Sequence, residues 1–400
     1  MARFLLISNG HGEDVSGALI GIKLQGLGHK VDAIPFVGKG NSYTNAGIKL
    51  IFKSKEFSTG GIGYTSLKGR LTEIFEGQLI YLLIRIIKLL IVANNYDVLI
   101  VVGDVVPVFA AWLTRKTVCT YLVAYSSHYE GKLSMPWPCK TCLKSQYFKE
   151  IYTRDQLSAD DLKIQLHKKV RFLGNPFMDS VLSNQKSLSK CPNRLGLFPG
   201  SRRPELDENL NLLFQTIEHL PSKLFLDDEL SIDMALVERM DLDSLKRLVS
   251  KTDWHLQELN DGTNVCTLNK GLAKIKVHRD AFVQIVQSSD VIISMAGTAT
   301  EQAVGLGKPV VQLPGKGPQF TSSFAEAQRR LLGPTLFCAN EDLPNQERLL
   351  QTARLINHLL IQIKEDNCLQ QECIRKANLR LGKQGGTTKI CQSIINSIQS

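Results

Sequence analysis

The chain lacks an uninterrupted apolar run long enough to span a bilayer. It also lacks the cysteine pattern of a disulfide-stapled protein: its nine cysteines are odd in number and scattered. No secretory leader is expected at its start. Met1-Ala2-Arg3 runs into four apolar residues, Phe4 to Ile7, and then at once into a polar loop, residues 8–14. That is a first strand and not a signal-peptide core. Reduced thiols and a cytoplasmic location are therefore expected. Aromatic residues are scarce, at 7%, and no aromatic-interleaved basic stripe, zinc-finger spacing or RNA-binding signature accompanies the net charge of +10. Nucleic acid is not an expected partner. The positive charge points instead to anionic small molecules or anionic lipid headgroups. The lone C-x-x-C at Cys139 and Cys142 has no second ligand pair, so no structural metal is expected. A dinucleotide fingerprint fails as well, because Val15 stands where Gly10-x-Gly12 would need its third glycine.

What is present is a steady alternation of short apolar runs with helical patterns, the mark of α/β units with parallel sheets. Four hundred residues suit two domains of about 150–200. Strands are predicted at 3–7, 30–36, 98–102, 118–123, 150–152 and 170–173, and then at 195–198, 231–236, 275–277, 291–294, 310–313 and 335–337. A break at Gly174-Asn175-Pro176 and a polar linker over 181–192 separate a first domain, 1–180, from a second, 193–372. A C-terminal helical segment is predicted over 373–400, with a Gly-rich break at 382–386.

The segment after the 291–294 strand is the most informative. Gly297, Thr298, Ala299 and Thr300 open a helix directly after a strand, with Glu301 and Gln302 one turn in. Free N–H groups and the helix dipole at such a start favour an anion such as a diphosphate. Glu301 or Gln302 could hydrogen-bond ribose hydroxyls. A second turn of this kind follows the 195–198 strand: Gly200 and Ser201 make the turn, Arg202 is a bidentate phosphate donor, and Pro204 suits the first helical position. In the first half, Gly10, His11, Gly12, Glu13 and Asp14 lie at a strand's carboxyl end, where α/β proteins place ligands. Asp104 follows the 98–102 strand at the same sheet edge. It is either a general base or a helix N-cap. Asp14 is likewise a candidate cap, and His128 reads as a polar loop residue. The apolar run 79–92 carries Arg85 and Lys88. It is either a buried helix or a membrane-surface helix whose cations snorkel to headgroups.

Leu197-Phe198-Pro199-Gly200-Ser201-Arg202, with the later segment from Ala296 to Pro309, resembles lipid-A-disaccharide synthase. More broadly it looks like a GT-B glycosyltransferase, and within the synthase-like proteins it is closest to a divergent, cyanobacterial-type branch. Gly174-Asn175-Pro176 followed by Asp179 is similar to that family's domain junction. The resemblance implies two Rossmann-like domains with parallel sheets facing across a cleft. It implies inverting transfer of a sugar, of N-acetylglucosamine type, from a UDP-sugar to a lipid-linked acceptor at the inner-membrane surface, with no metal or other cofactor. By position, Gly200, Ser201, Arg202, Gly297, Thr298 and Ala299 would meet the diphosphate, and Gln302 replaces the family's ribose-binding Glu. In the first loop Gly10, Gly12 and Asp14 would face the acceptor, and Asp104, His11 or Glu13 would take its proton. Pro107 stands where the family has a second Asp. A UDP-sugar 2-epimerase and a non-catalytic UDP-sugar- or lipid-binding homologue are the alternative readings.

Overall fold

A computed structural model describes residues 1–10, 12–52, 78–182, 188–200, 205–237, 240–261, 263–313, 322–339 and 342–399. The chain forms two compact units. The first is Met1–Asp179 together with Leu381–Ser400, and the second is Ser180–Arg380.

In the first unit the strands are β1 (Arg3–Ser8), β2 (Lys30–Pro35), β3 (Lys49–Leu50), β4 (Val98–Gly103), β5 (Val118–Leu122), β6 (Phe148–Thr153) and β7 (Val170–Arg171). They form one sheet in the order β3-β2-β1-β4-β5-β6-β7, every pairing parallel. Parallel strands buried on both faces need near-continuous apolar sequence. β1 and β4 supply it. Leu5, Ile7, Leu99 and Val101 pack on one face with Leu89, Ala110 and Leu162. Phe4, Leu6, Ile100 and Val102 pack on the other with Ala18 and Ile20. Each such buried side chain contributes about 1.5–3 kcal/mol before the entropy of ordering is counted.

The predicted boundary at 373 differs from the fold. Ile390, Cys391 and Ile394 of the last helix, Gly386–Gln399, belong to the first unit's core. The junction motif fastens this return of the chain. Asp179 accepts the Gly385 N–H at 2.6 Å and the Thr387 N–H at 2.8 Å. Asn175, fully buried, donates to the Leu381 carbonyl at 2.7 Å and the Arg154 carbonyl at 2.9 Å. A side chain on Gly386 would come within 2.7 Å of the Gly174 carbonyl carbon, so glycine is needed there. The preceding helices, Asn345–Glu365 and Asn367–Arg380, belong to the second unit.

The second unit's strands are β8 (Asn193–Phe198), β9 (Leu230–Leu236), β10 (His255–Asp261), β11 (Asn264–Lys270), β12 (Ala273–Arg279), β13 (Val291–Ser294), β14 (Val310–Gln312) and β15 (Leu336–Cys338). Their order is β10-β11-β12-β9-β8-β13-β14-β15. The inner strands pair in parallel, whereas β10, β11 and β12 are antiparallel. The β10–β11 hairpin was not predicted. Its sequence is polar and its strands form the sheet's margin, so it lacks the apolar runs that mark the inner strands.

Among the described residues no helix is long and apolar enough to cross a membrane. The apolar run forms the helix Gln78–Val92. Leu89 is buried, but Ile80, Leu83 and Ile91 are 66%, 60% and 71% exposed, with Ile84 and Ile87 beside them. Arg85 does not snorkel as the membrane-surface reading required. It is buried, its Nε donates to the Tyr81 hydroxyl at 2.8 Å, and its guanidinium lies over the Tyr81 ring. Lys88 stays exposed, its ammonium over the Phe52 ring.

Candidate active site

Each sheet has a point where neighbouring strands continue in opposite lateral directions. In open α/β sheets that crevice, at the strands' carboxyl ends, is where ligands bind.

In the second unit it lies between β8 and β13. Phe198 pairs with Ser294, and the Met295 N–H donates to the Phe198 carbonyl at 2.8 Å. The two anion-directed turns therefore emerge side by side. Gly200 has φ of +93°, which only glycine adopts readily. Asn209, fully buried, donates to the Pro199 carbonyl at 2.8 Å and pins that turn. Ser201 and Arg202 lie outside the described residues.

The second turn opens the helix Gly297–Gly305. Its N-cap is Ala296, which has no side-chain acceptor for the helix's first N–H groups. Gly297 has no positive φ, and a Cβ built on it would meet nothing within 4 Å among the described residues. Packing among the described residues thus does not require glycine there. Gly297 itself is half-buried. Thr298 is exposed and Ala299 half-buried beside it.

Two expected contacts fall elsewhere. Thr300 is fully buried, with Oγ1 2.8 Å from Ser294 Oγ and 2.5 Å from the Ala296 carbonyl, so its hydroxyl braces the strand–helix turn. Gln302 is buried, with Nε2 3.4 Å from Ser180 Oγ, and lies on the packed side of the helix. Glu301 is half-buried. Behind the turn, Gln328 Nε2 reaches the Gly297 carbonyl at 3.5 Å and its Oε1 accepts from Gln312 Nε2 at 2.5 Å.

In the first unit the crevice lies between β1 and β4. β1 leads into Asn9 and Gly10, and β4 into Asp104. His11 lies outside the described residues. Gly10, at φ of +119°, is glycine for the fold: a Cβ there would approach the Val37 carbonyl oxygen to 2.6 Å. Gly12, exposed, starts the helix Gly12–Gly26. Asp14 therefore sits inside the first turn and does not cap it. It is buried, and the Ser8 hydroxyl, itself 2.9 Å from the Tyr43 hydroxyl, donates to it at 2.5 Å. Burial, only partly offset by that bond, pushes the Asp14 carboxyl up to about 7.

Asp104 is the N-cap of the helix Val105–Leu113, accepting the Val106 N–H at 3.2 Å on Oδ1. Its Oδ2 accepts from Asn9 Nδ2 at 3.1 Å. Glu13 Oε2 accepts the Asn9 main-chain N–H at 3.1 Å. Gly103, at φ of +152°, makes room for it, since a Cβ there would lie 3.1 Å from Glu13 Oε2. Burial first, and then the charge of Asp104, holds the Glu13 carboxyl well above the usual carboxylate range. Burial raises Asp104 too, against three hydrogen bonds that lower it. Pairs of this kind, pushed off their ordinary values in a crevice, mark acid–base sites.

The structure thus joins Glu13 and Asp104 and adds Asn9 and Gly103, which the sequence did not single out. His128 lies in the short helix Ser127–Glu130, where its main-chain N–H donates to Ser126 Oγ at 3.2 Å. Cys139 and Cys142 open the helix Cys139–Lys144 inside the core. Burial pushes both thiols up, Cys142 to about 11. Among the described residues no three His, Cys, Asp or Glu side chains group as metal ligands.

No protein-family model and no curated protein matches the sequence. Solved structures do resemble the fold along its whole length. The calicheamicin glycosyltransferase CalG4 is similar at a TM-score of 0.61 and 14% identity, over 100% of this chain and 98% of that one. S. aureus MnaA, solved with UDP, is similar at 0.58 and 14% identity, over 100% and 98%. The UDP-GlcNAc 2-epimerase of Neisseria meningitidis, bound to UDP-GlcNAc, is similar at 0.52 and 15% identity, over 99% of each chain. Identity this low speaks for the fold, and the fold is GT-B: two Rossmann-like α/β units.

Proposed function

We propose that this protein is an inverting glycosyltransferase that moves a sugar from a UDP-sugar to a lipid-linked acceptor, in the manner of lipid-A-disaccharide synthase. The observation that carries the reading is the pair of turns at the β8–β13 crevice, with N–H groups that no side chain caps and no described residue within 4 Å of a Cβ at Gly297. The donor diphosphate is assigned there, with Gly200, Thr298 and Ala299 beside it and Arg202 as its cationic partner. N–H groups already aimed at the phosphates stabilise the charge that develops as UDP leaves. Proton chemistry is assigned to the first unit. A carboxylate with raised proton affinity takes the acceptor hydroxyl's proton, the freed oxygen bonds to the anomeric carbon, and the bond from that carbon to the diphosphate breaks. Glu13 is the better candidate base, because both Asp104 oxygens already hold donors. The exposed apolar face of Gln78–Val92 supports a lipid acceptor at a membrane surface, with Lys88 and not Arg85 as the exposed cation beside it.

Some of the similar structures are 2-epimerases that bind UDP or UDP-GlcNAc. Epimerisation of a UDP-sugar is therefore the second reading. One experiment separates the two: incubation with labelled UDP-N-acetylglucosamine and anionic, lipid-extract liposomes, followed by flotation. The expected result is protein that floats with the vesicles and label transferred to lipid. Label confined to a 2-epimeric nucleotide sugar, with protein left at the bottom, would favour the epimerase.

A further inference from the structure

We propose that Asn9 is a positioning residue that apportions one proton between Glu13 and Asp104, keeping Asp104 ionised while Glu13 exchanges the proton. The inference deepens the reading above and rests on it for the reaction, though not for the geometry.

Asn9 touches both carboxylates. Its main-chain N–H donates to Glu13 Oε2, and its side-chain Nδ2 donates to Asp104 Oδ2, each at 3.1 Å. Both residues are half-buried and the Asp104 charge raises Glu13, so the two carboxylates do not both ionise easily. Hydrogen-bond donors favour the charged form of whichever group receives them. Asp104 receives Asn9 Nδ2 and the Val106 N–H, one on each oxygen, beside its own main-chain N–H. Glu13 receives one, on Oε2. The balance therefore places the charge on Asp104 and the proton on Glu13.

The Asn9 carboxamide is committed to this arrangement. Its Oδ1 is buried without a hydrogen-bond partner among the described residues. A free amide would turn to satisfy that oxygen, and an unpartnered buried acceptor is unfavourable by about 1–3 kcal/mol. It is tolerated here because the nitrogen faces a carboxylate, which can only accept. A protonated Asp104 would remove the reason for that orientation.

The other groups that face the pair do not replace Asn9. Asp14, on the same helix as Glu13, adds a like charge. The Tyr43 hydroxyl, from the helix Asn41–Asn45, bonds Ser8. The Cys139 thiol, from Cys139–Lys144, interacts with Asp104 but is held protonated by burial. Among the described residues no lysine or arginine is one of the groups acting on either carboxylate.

The test is carbon-detected NMR of the full chain, labelled at the Asp and Glu side-chain carboxyls and titrated with pH in the absence of nucleotide. In the wild type Glu13 is expected to titrate well above Asp104. In Asn9→Ala the main-chain bond to Glu13 remains, but Asp104 loses a donor. Its midpoint is expected to rise by about one pH unit, narrowing the gap to Glu13. Asp14, which does not bond Asn9, is the internal control and stays where it was. Asn9→Ser serves the same comparison if Asn9→Ala does not fold. An unmoved Asp104 midpoint would overturn the inference. So would an Asp14 midpoint that moves with it, because that means a general disturbance of the loop. The titration needs no substrate, so failure of the glycosyltransferase reading leaves it decisive.

Discussion

Glu13→Gln is expected to lower turnover by on the order of 10²–10⁴-fold while leaving UDP affinity unchanged. Glutamine keeps the size of the side chain and an oxygen to accept the Asn9 N–H, but it cannot take a proton. UDP affinity is assigned to a different sheet, so the two properties separate cleanly. The pH profile gives a second, independent readout. A base must be ionised to act, and burial together with the Asp104 charge raises the Glu13 carboxyl. Wild-type activity is therefore expected to rise with pH along a limb that lies above the ordinary carboxylate range. The variant's residual activity loses that limb. Steady-state kinetics of both proteins across pH would show it. Wild-type turnover in Glu13→Gln would remove Glu13 from the chemistry.

Asp14→Asn is expected to stabilise the fold at neutral pH and to flatten its dependence on pH. The carboxyl is buried and is raised from 3.8 to about 7. In that window the folded state binds a proton that the unfolded chain has released. Stability conferred by the protonated group is fully present below the unfolded pKa and is lost as pH climbs from about 4 through about 7. Three units correspond to an upper limit of about 4 kcal/mol at pH 8. Asparagine stays neutral throughout, and its Oδ1 still accepts from Ser8. Urea unfolding at pH 4 and pH 8 should show the wild type losing stability between the two and the variant losing much less. Equal slopes would place Asp14 in a solvated setting. A buried charge held at such a disadvantage beside Glu13 is what a site, rather than a core, tolerates.

The parallel strands of the two sheets were legible because they are buried on both faces and so carry unbroken apolar runs, as in residues 4–7 and 98–102. The second crevice was legible for a related reason. A turn of small residues between such a strand and a helix has few possible geometries, and Gly297 falls at the helix start as its sequence context implies. The first crevice was only half legible. The pairing of Asn9 with Asp104 depends on β1 and β4 being neighbours, and that adjacency is a property of the topology with no local signature. Hydroxyls and amides were the least legible. Thr300 and Gln302 sit on the packed side of their helix, and Thr298 on the open side. One residue of helical phase decides between bracing and binding. The hairpin Asn264–Lys270 with its partner β10, and the return of the last helix to the first unit, escaped because polar margins and long-range docking leave little periodic trace.

The proposed role of the Gly297 turn is to hold a nucleotide diphosphate. Its most direct test is calorimetric titration of UDP into the wild type and Gly297→Ala, with melting temperatures measured alongside. A Cβ at 297 meets nothing within 4 Å among the described residues. Alanine in place of glycine should leave the fold intact or make it more stable by up to about 1 kcal/mol. The same methyl group would crowd a diphosphate bound at this helix start. The result expected is UDP binding by the wild type, at least about tenfold weaker binding by the variant, a loss of about 1.4 kcal/mol, and an unchanged or higher melting temperature. A wild type that does not bind UDP, or a variant that binds it equally well, would contradict the claim.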